Sequence, residues 1–153
     1  MRFLELKVPP PAIAVVIAVA MYLAGRRMPD PHIDLRARVP IAVFLAAAGI
    51  AVDFAGLWAF RHHRTTVNPL RPDKAASLVT DGIYRWTRNP MYLGLLLILT
   101  GWAFWLSTAV SLLGLPLLVI YLTRFQILPE ERALRAKFPR ESADHARHVR
   151  RWL

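Results

Sequence analysis

The chain has 153 residues, enough for one domain and too few for two ordinary ones. It is 56% hydrophobic, against roughly 45–50% in a usual soluble domain, and lacks cysteine, which excludes disulfides, thiolate metal sites and a cysteine nucleophile. A net charge of +10 would point a soluble chain toward nucleic acid, so where the charges lie matters.

In chain order, four apolar segments predict helices: 9–24, 39–60, 91–106 and 108–128. The first has the basic start and apolar run of a secretory signal. No small-residue cleavage pattern stands before Arg26, however, and three more spans follow, so it reads as a helix. The second, 22 residues long, is ample for a hydrocarbon core of about 30 Å at about 1.5 Å per residue. The first and third, nearer 16 residues, reach about 24 Å. The third and fourth are separated only around Ser107 and read as a tight hairpin, with Gly94 and Gly101 allowing close helix packing. Strand signals, internal repeats and low-complexity tracts are absent. The fold class expected is all-α: a polytopic membrane bundle of about four transmembrane helices in one domain, 1–153, with a cytosolic helical tail, 129–153.

Between the second and third spans lies a long loop, 61–90, beginning with the proline-broken "RHHRTTVNPLRPDKAAS". Sixteen Lys and Arg fall on the side of this loop and the two ends of the chain, against Arg26, Arg27, Arg36 and Arg38 on the other. The positive-inside rule then places both termini and the loop in the cytosol. The basic charge is explained by topology, and nucleic acid is not needed as a partner.

The loop ends in "GIYRWTRNPMYLG". In one reading Trp86 and Tyr92 are interfacial aromatics and Arg85 and Arg88 are positive-inside anchors. In the other, Asn89 caps the third helix and Pro90 takes its first position, so that a helix N-terminus with free N–H groups sits near headgroup level and suits a carboxylate. After the fourth span, "LPEERALRAKF" begins with Pro129, which kinks or restarts the helix. Glu130, Leu134 and Phe138 then share one face, whereas Glu131 has Arg135 at i+4 and reads as a solvated pair. An acid on the apolar stripe needs a partner or a ligand. A second helix is expected beyond Pro139.

Asp53 lies inside the second span, where a carboxylate costs about 2.5–3.5 kcal/mol on insertion scales. Function and an interhelical hydrogen bond are both open readings. His32, His62, His63, His145 and His148 offer no third converging ligand, so no metal is expected.

"LVTDGIYRWTRNPMYLG" (78–94) and "LPEERALRAKF" with the closing "VRRWL" (128–153) resemble the isoprenylcysteine carboxyl methyltransferase and phospholipid methyltransferase family of integral membrane methyltransferases. The resemblance covers about the C-terminal half. It implies an S-adenosylmethionine-dependent methyltransferase, with the cofactor at the cytosolic interface and a lipophilic acceptor arriving from membrane lipids. Carried over by position, the implied cofactor contacts are Leu78, Val79, Tyr84, Asn89, Pro90, Met91, Tyr92 and Glu130. Gln126 stands where prenylcysteine enzymes carry a substrate-contacting Arg, with Arg124 two residues back, which makes these two the substrate-binding candidates and counts against a prenylcysteine carboxylate. Family members often carry His at the place of Asn89. Their Phe-Gly and two spaced tyrosines are replaced here by Pro139, Ser142 and His145. No general base stands out, and the catalytic residues stay unassigned. Two alternatives remain: a reductase related to sterol reductases, using NADPH, and a non-catalytic membrane module of the same fold.

Overall fold

Proline opens most of the helices. In the computed structural model, which describes residues 5–27, 35–63 and 76–153, Pro10, Pro90 and Pro139 each take the first position of a helix and Pro129 the second. At Pro10, Pro90 and Pro139 the missing N–H would have no intrahelical partner in any case. The helices are α1 (Pro10–Gly25), α2 (Leu35–His62), α3 (Pro90–Leu106), α4 (Gly114–Leu122), α5 (Leu128–Lys137) and α6 (Pro139–His148). Short 3-10 turns at Gly82–Arg85 and Ala109–Leu113 precede α3 and α4. No strand occurs among the described residues, and the protein is an all-α bundle.

Among the described residues two helices are long and apolar enough to cross a membrane: Arg36–His62, and a continuous run Ala109–Lys137 that includes α4 and α5. The other two apolar helices, α1 and α3, have 16 and 17 residues, as short as the sequence led us to expect. α2 starts at Leu35 rather than residue 39 and ends at His62, taking in the first residues assigned to the 61–90 loop. Residues 64–75 of that loop lie outside the described residues. Large apolar side chains cover the outside of the bundle, with Phe44 71% and Trp58 74% exposed. Outward apolar faces on this scale suit lipid rather than water.

Glycine sets the contact between α2 and α3, which run antiparallel. A Cβ on Gly49 would lie 2.6 Å from the Gly94 carbonyl oxygen, and one on Gly101 would lie 2.7 Å from that of Ala42. Gly94 and Gly101 thus do what their spacing indicated, with Gly49 as the partner. α1 packs on α3 and α4 instead of along α2. Their shared core contains Ile17, Met21, Leu99, Ala103, Leu118, Leu122 and Ile127. The hairpin turns at Ser107, whose backbone is left-handed (φ +51°) and whose N–H bonds to Ala103.

Pro129 neither breaks nor restarts the helix. The chain passes through a π turn, Thr123–Ile127, and continues as α5. Pro129 has no N–H to offer the carbonyl four residues earlier, on Phe125. That oxygen instead accepts the N–H of Leu6 at 3.0 Å. The buried amide of Gln126 donates to the Val8 carbonyl at 2.7 Å. Together these bonds tie residues 6–8, just before α1, to the far side of the bundle.

Candidate functional site

A cavity of about 600 Å³ opens at the end of the bundle where α2 stops, α3 starts and α5 and α6 lie across. One wall is the segment leading into α3. Val79 and Tyr84 are buried against Ala59 near the end of α2, and Phe60 stacks edge-on against Tyr84 with ring centroids 5.5 Å apart. Asp81 is joined to His63 at 2.9 Å, which pins this segment to the last turn of α2. Gly82 makes the bend in the left-handed region, at φ +56°.

Facing this wall, α5 presents Glu130. The Tyr92 hydroxyl donates to its Oε2 at 2.9 Å, and Leu134, one turn on, joins it in the cavity lining. Burial, and then the nearby Glu130 carboxylate, holds the Tyr84 hydroxyl above its ordinary value, so that it stays a protonated donor. Leu78, Val79 and Tyr84 from the incoming segment, Asn89, Pro90, Met91 and Tyr92 from the start of α3, and Glu130 from α5 all line this one cavity. The eight residues implied as cofactor contacts are therefore brought together, though they come from three separate stretches of chain.

Two local expectations require correction. Glu131 is not a solvated partner of Arg135. Its side chain is 15% exposed and takes Arg151 through two hydrogen bonds, Nε to Oε1 at 3.0 Å and Nη2 to Oε2 at 2.9 Å, while Arg88 Nη1 lies 3.0 Å from Oε1. The i+4 rule applies to an isolated helix; here two more distant guanidiniums offer planar, charge-assisted geometry and win. Asn89, in turn, occupies the cap position without a side-chain cap. Its amide donates to the Arg151 carbonyl at 2.9 Å, and its own carbonyl accepts the N–H groups of Tyr92 and Leu93. With Pro90 lacking an N–H, the helix end offers fewer free donors than its sequence promised.

These contacts fold the last residues back across the site. Arg88 N–H donates to the Arg150 carbonyl at 3.0 Å, the Thr87 hydroxyl donates to the Arg151 carbonyl, and Trp152 Nε1 donates to Thr123. Arg151 and Thr87 had no role in the sequence reading. "VRRWL" belonged to the quoted resemblance, but nothing local marks a partner some sixty residues away. Ser142 and His145 of α6 also reach the cavity wall. Burial first, and Arg88 second, hold the His145 ring below its ordinary value.

Gln126 and Arg124 are turned away from the cavity. Gln126 is fully buried on Val8, and Arg124 reaches Glu5 at 3.5 Å, where Arg132 also binds. The π turn rotates both toward the N-terminal segment, so neither reaches the cavity as a substrate contact. The anchor reading holds for the outer half of the stretch before α3: Trp86 is 78% exposed and Arg85 is exposed, while Tyr84, Thr87 and Asn89 point inward. Asp53 lines the cavity from α2 and lies over Gly94, with no hydrogen bond to its buried Oδ1.

The described residues form an all-α bundle with an apolar exterior and a cavity of mixed polarity at one end. The chain belongs to the phospholipid methyltransferase family, whose pattern matches residues 37–141, and is thus a membrane protein of a methyltransferase family. The match takes in all eight cavity residues named above and stops short of Arg151. An uncharacterized protein of Haemophilus influenzae is 43% identical over 63 residues, which are 41% of this chain and the whole of that protein. No solved structure matches.

Proposed function

We propose that this protein is a multi-pass, S-adenosylmethionine-dependent methyltransferase acting on a lipophilic acceptor, with the cavity facing the cytosol and the whole chain working as one domain. The observation that carries this is the convergence of the eight implied contacts on one cavity, with Glu130 held in place by Tyr92. Its volume of about 600 Å³ falls within the roughly 300–1,000 Å³ of small-molecule sites. The donor set suits the cofactor's two polar ends. Glu130 is an acceptor for ribose hydroxyls, and Arg135 supplies a guanidinium at the cavity for an amino-acid carboxylate.

The cofactor supplies an electrophilic methyl group on a sulfonium. The protein's part is to align and to exclude water. Tyr92 fixes the rotamer of Glu130. The returning residues 150–152 hold the start of α3 against α5 through Arg88, Asn89 and Glu131. Ile50, Phe54, Leu57 and Leu95 make the other end apolar. Prolines 9–11 also line the cavity, and entry on this apolar side would suit an acceptor that arrives from lipid.

A nicotinamide reductase would need counter-charges for several phosphates, whereas among the described residues the arginines lining the cavity are Arg88, already on Glu131, and Arg135. In detergent, S-adenosylhomocysteine is expected to raise the melting temperature and NADPH to leave it unchanged. Stabilisation by NADPH alone would replace this reading with the reductase. Stabilisation by the homocysteine form without label transfer from radioactive cofactor to any membrane lipid would favour the non-catalytic module.

A further inference from the structure

Residues 5–8 are fastened to the far side of the bundle just before the chain enters the cavity wall. Leu6 N–H donates to the Phe125 carbonyl at 3.0 Å, and Glu5 takes Arg124 and Arg132. Leu6 holds a left-handed backbone, φ +54°, which a leucine rarely adopts and which its tied neighbours maintain. Gln126, fully buried in the π turn, donates from Nε2 to the Val8 carbonyl at 2.7 Å. That carbonyl belongs to the planar peptide unit whose nitrogen is that of Pro9, so the bond fixes the plane from which the next residues start.

Those next residues are Pro9, Pro10 and Pro11, and all three line the cavity. Proline has no N–H, so this stretch of wall has no backbone donor with which to hold itself to the bundle. The Pro9 carbonyl accepts from Ala12 and Ile13 in the first turn of α1, and α1 packs on α3 and α4. Ile50, Phe54 and Leu57 on α2 line the same cavity. The distance between them and the prolines is therefore governed from the N-terminal side, by the ties on residues 5–8. A volume of about 600 Å³ is that of one small-molecule site, and the proposed cofactor takes its polar part. What remains between the prolines and α2 admits a narrow group. We propose that Gln126 is a specificity-determining positioning residue: by gripping the peptide between Val8 and Pro9 it sets this wall and restricts the acceptor to a slender, unbranched apolar chain. Gln126 touches no substrate; it acts through Val8 and the prolines. This proposal rests on the cavity being the methyl-transfer site, and its test reads binding, not turnover.

The probes are dodecanol and cyclododecanol, which share carbon count and head group and differ in girth. They are titrated into the full chain in nanodiscs, against empty nanodiscs, with and without saturating S-adenosylhomocysteine. The wild type is expected to bind the linear alcohol at least tenfold more tightly. Gln126→Met keeps the length of the side chain and removes the donor. It is expected to shrink the preference below threefold, through tighter cyclododecanol binding, while S-adenosylhomocysteine affinity stays within twofold. A merely structural role would instead weaken both probes and S-adenosylhomocysteine together, and that result overturns the proposal. So does a wild type without preference for the linear probe, or a preference that survives in folded Gln126→Met. Should Gln126→Met not fold, Glu5→Ala, which releases the same segment from Arg124 and Arg132, is held to the same criteria. Absence of S-adenosylhomocysteine binding in the wild type counts against the methyltransferase reading alone, since the probe preference is also read without it.

Discussion

Adjacent glutamates do different work here. Glu130 accepts from Tyr92 in the cavity; Glu131, also at the cavity wall, holds Arg88 and Arg151. Hydrogen bonds to charged groups contribute about 1.5–3 kcal/mol each. Glu131→Gln is therefore expected to destabilise the fold by about 2 kcal/mol or more, visible as a lower melting temperature in detergent. Arg135→Gln should stay within about 0.5 kcal/mol, as at an ordinary surface site. Equal effects would mean that the clamp does not form. His145 gives a pH test. Its folded value lies below the ordinary 6.5, so as pH falls through that region the unfolded chain takes up the proton first and stability is lost. Between pH 7.5 and pH 5.5 the melting temperature of the wild type should fall further than that of His145→Gln, the difference between the two curves reporting His145. Parallel curves would contradict the assignment. That Glu130 shares the cavity wall with Leu134 could be read from helical spacing. The partners of Glu131 could not, since helical spacing says nothing about a tail that returns from residue 151.

The helices themselves were legible because their signals are local: apolar runs of span length, proline at first positions, and a hairpin with a single turn residue. The length of α2 was underestimated because its first turn carries Arg36 and Arg38, which interrupt the apolar pattern without disfavouring helix. The π turn was not legible. Proline predicts a missing hydrogen bond, but whether the chain kinks or another donor compensates depends on Leu6, which is over a hundred residues away in sequence. Close approach of α2 and α3 through Gly94 provides the test at this level. Gly94→Ala puts a methyl group onto the Asp53 carboxylate and 2.7 Å from the Gly49 carbonyl, and overpacking of this kind costs about 1–3 kcal/mol. Gly82→Ala meets nothing within 4 Å and bears only its left-handed backbone, about 1 kcal/mol. Melting of the two variants side by side should place Gly94→Ala lower. The reverse order would mean that α2 and α3 are further apart.

The molecule as a whole is an apolar bundle with one polar, basic end, and from the charge asymmetry we propose that this end faces the cytosol. If that end faces the cytosol, single cysteines placed at the exposed Arg27 and Arg140 should label from opposite sides of sealed vesicles. Labelling of both from one side would remove the four-span topology. At the basic end three distant stretches of chain meet in a cavity that combines a fixed carboxylate, guanidiniums and an apolar floor. The resemblance supplied the cavity's residues but not the bracing of α3 by the C-terminal segment, which depends on long-range hydrogen bonds to Thr87 and Asn89. The most direct test of the cofactor assignment is calorimetric titration of S-adenosylhomocysteine into folded, monodisperse wild type and Glu130→Gln. Loss of a charged acceptor for the ribose hydroxyls, about 1.5–3 kcal/mol, predicts a dissociation constant raised roughly ten- to a hundredfold. An unchanged constant in Glu130→Gln, or no binding by the wild type, would contradict it.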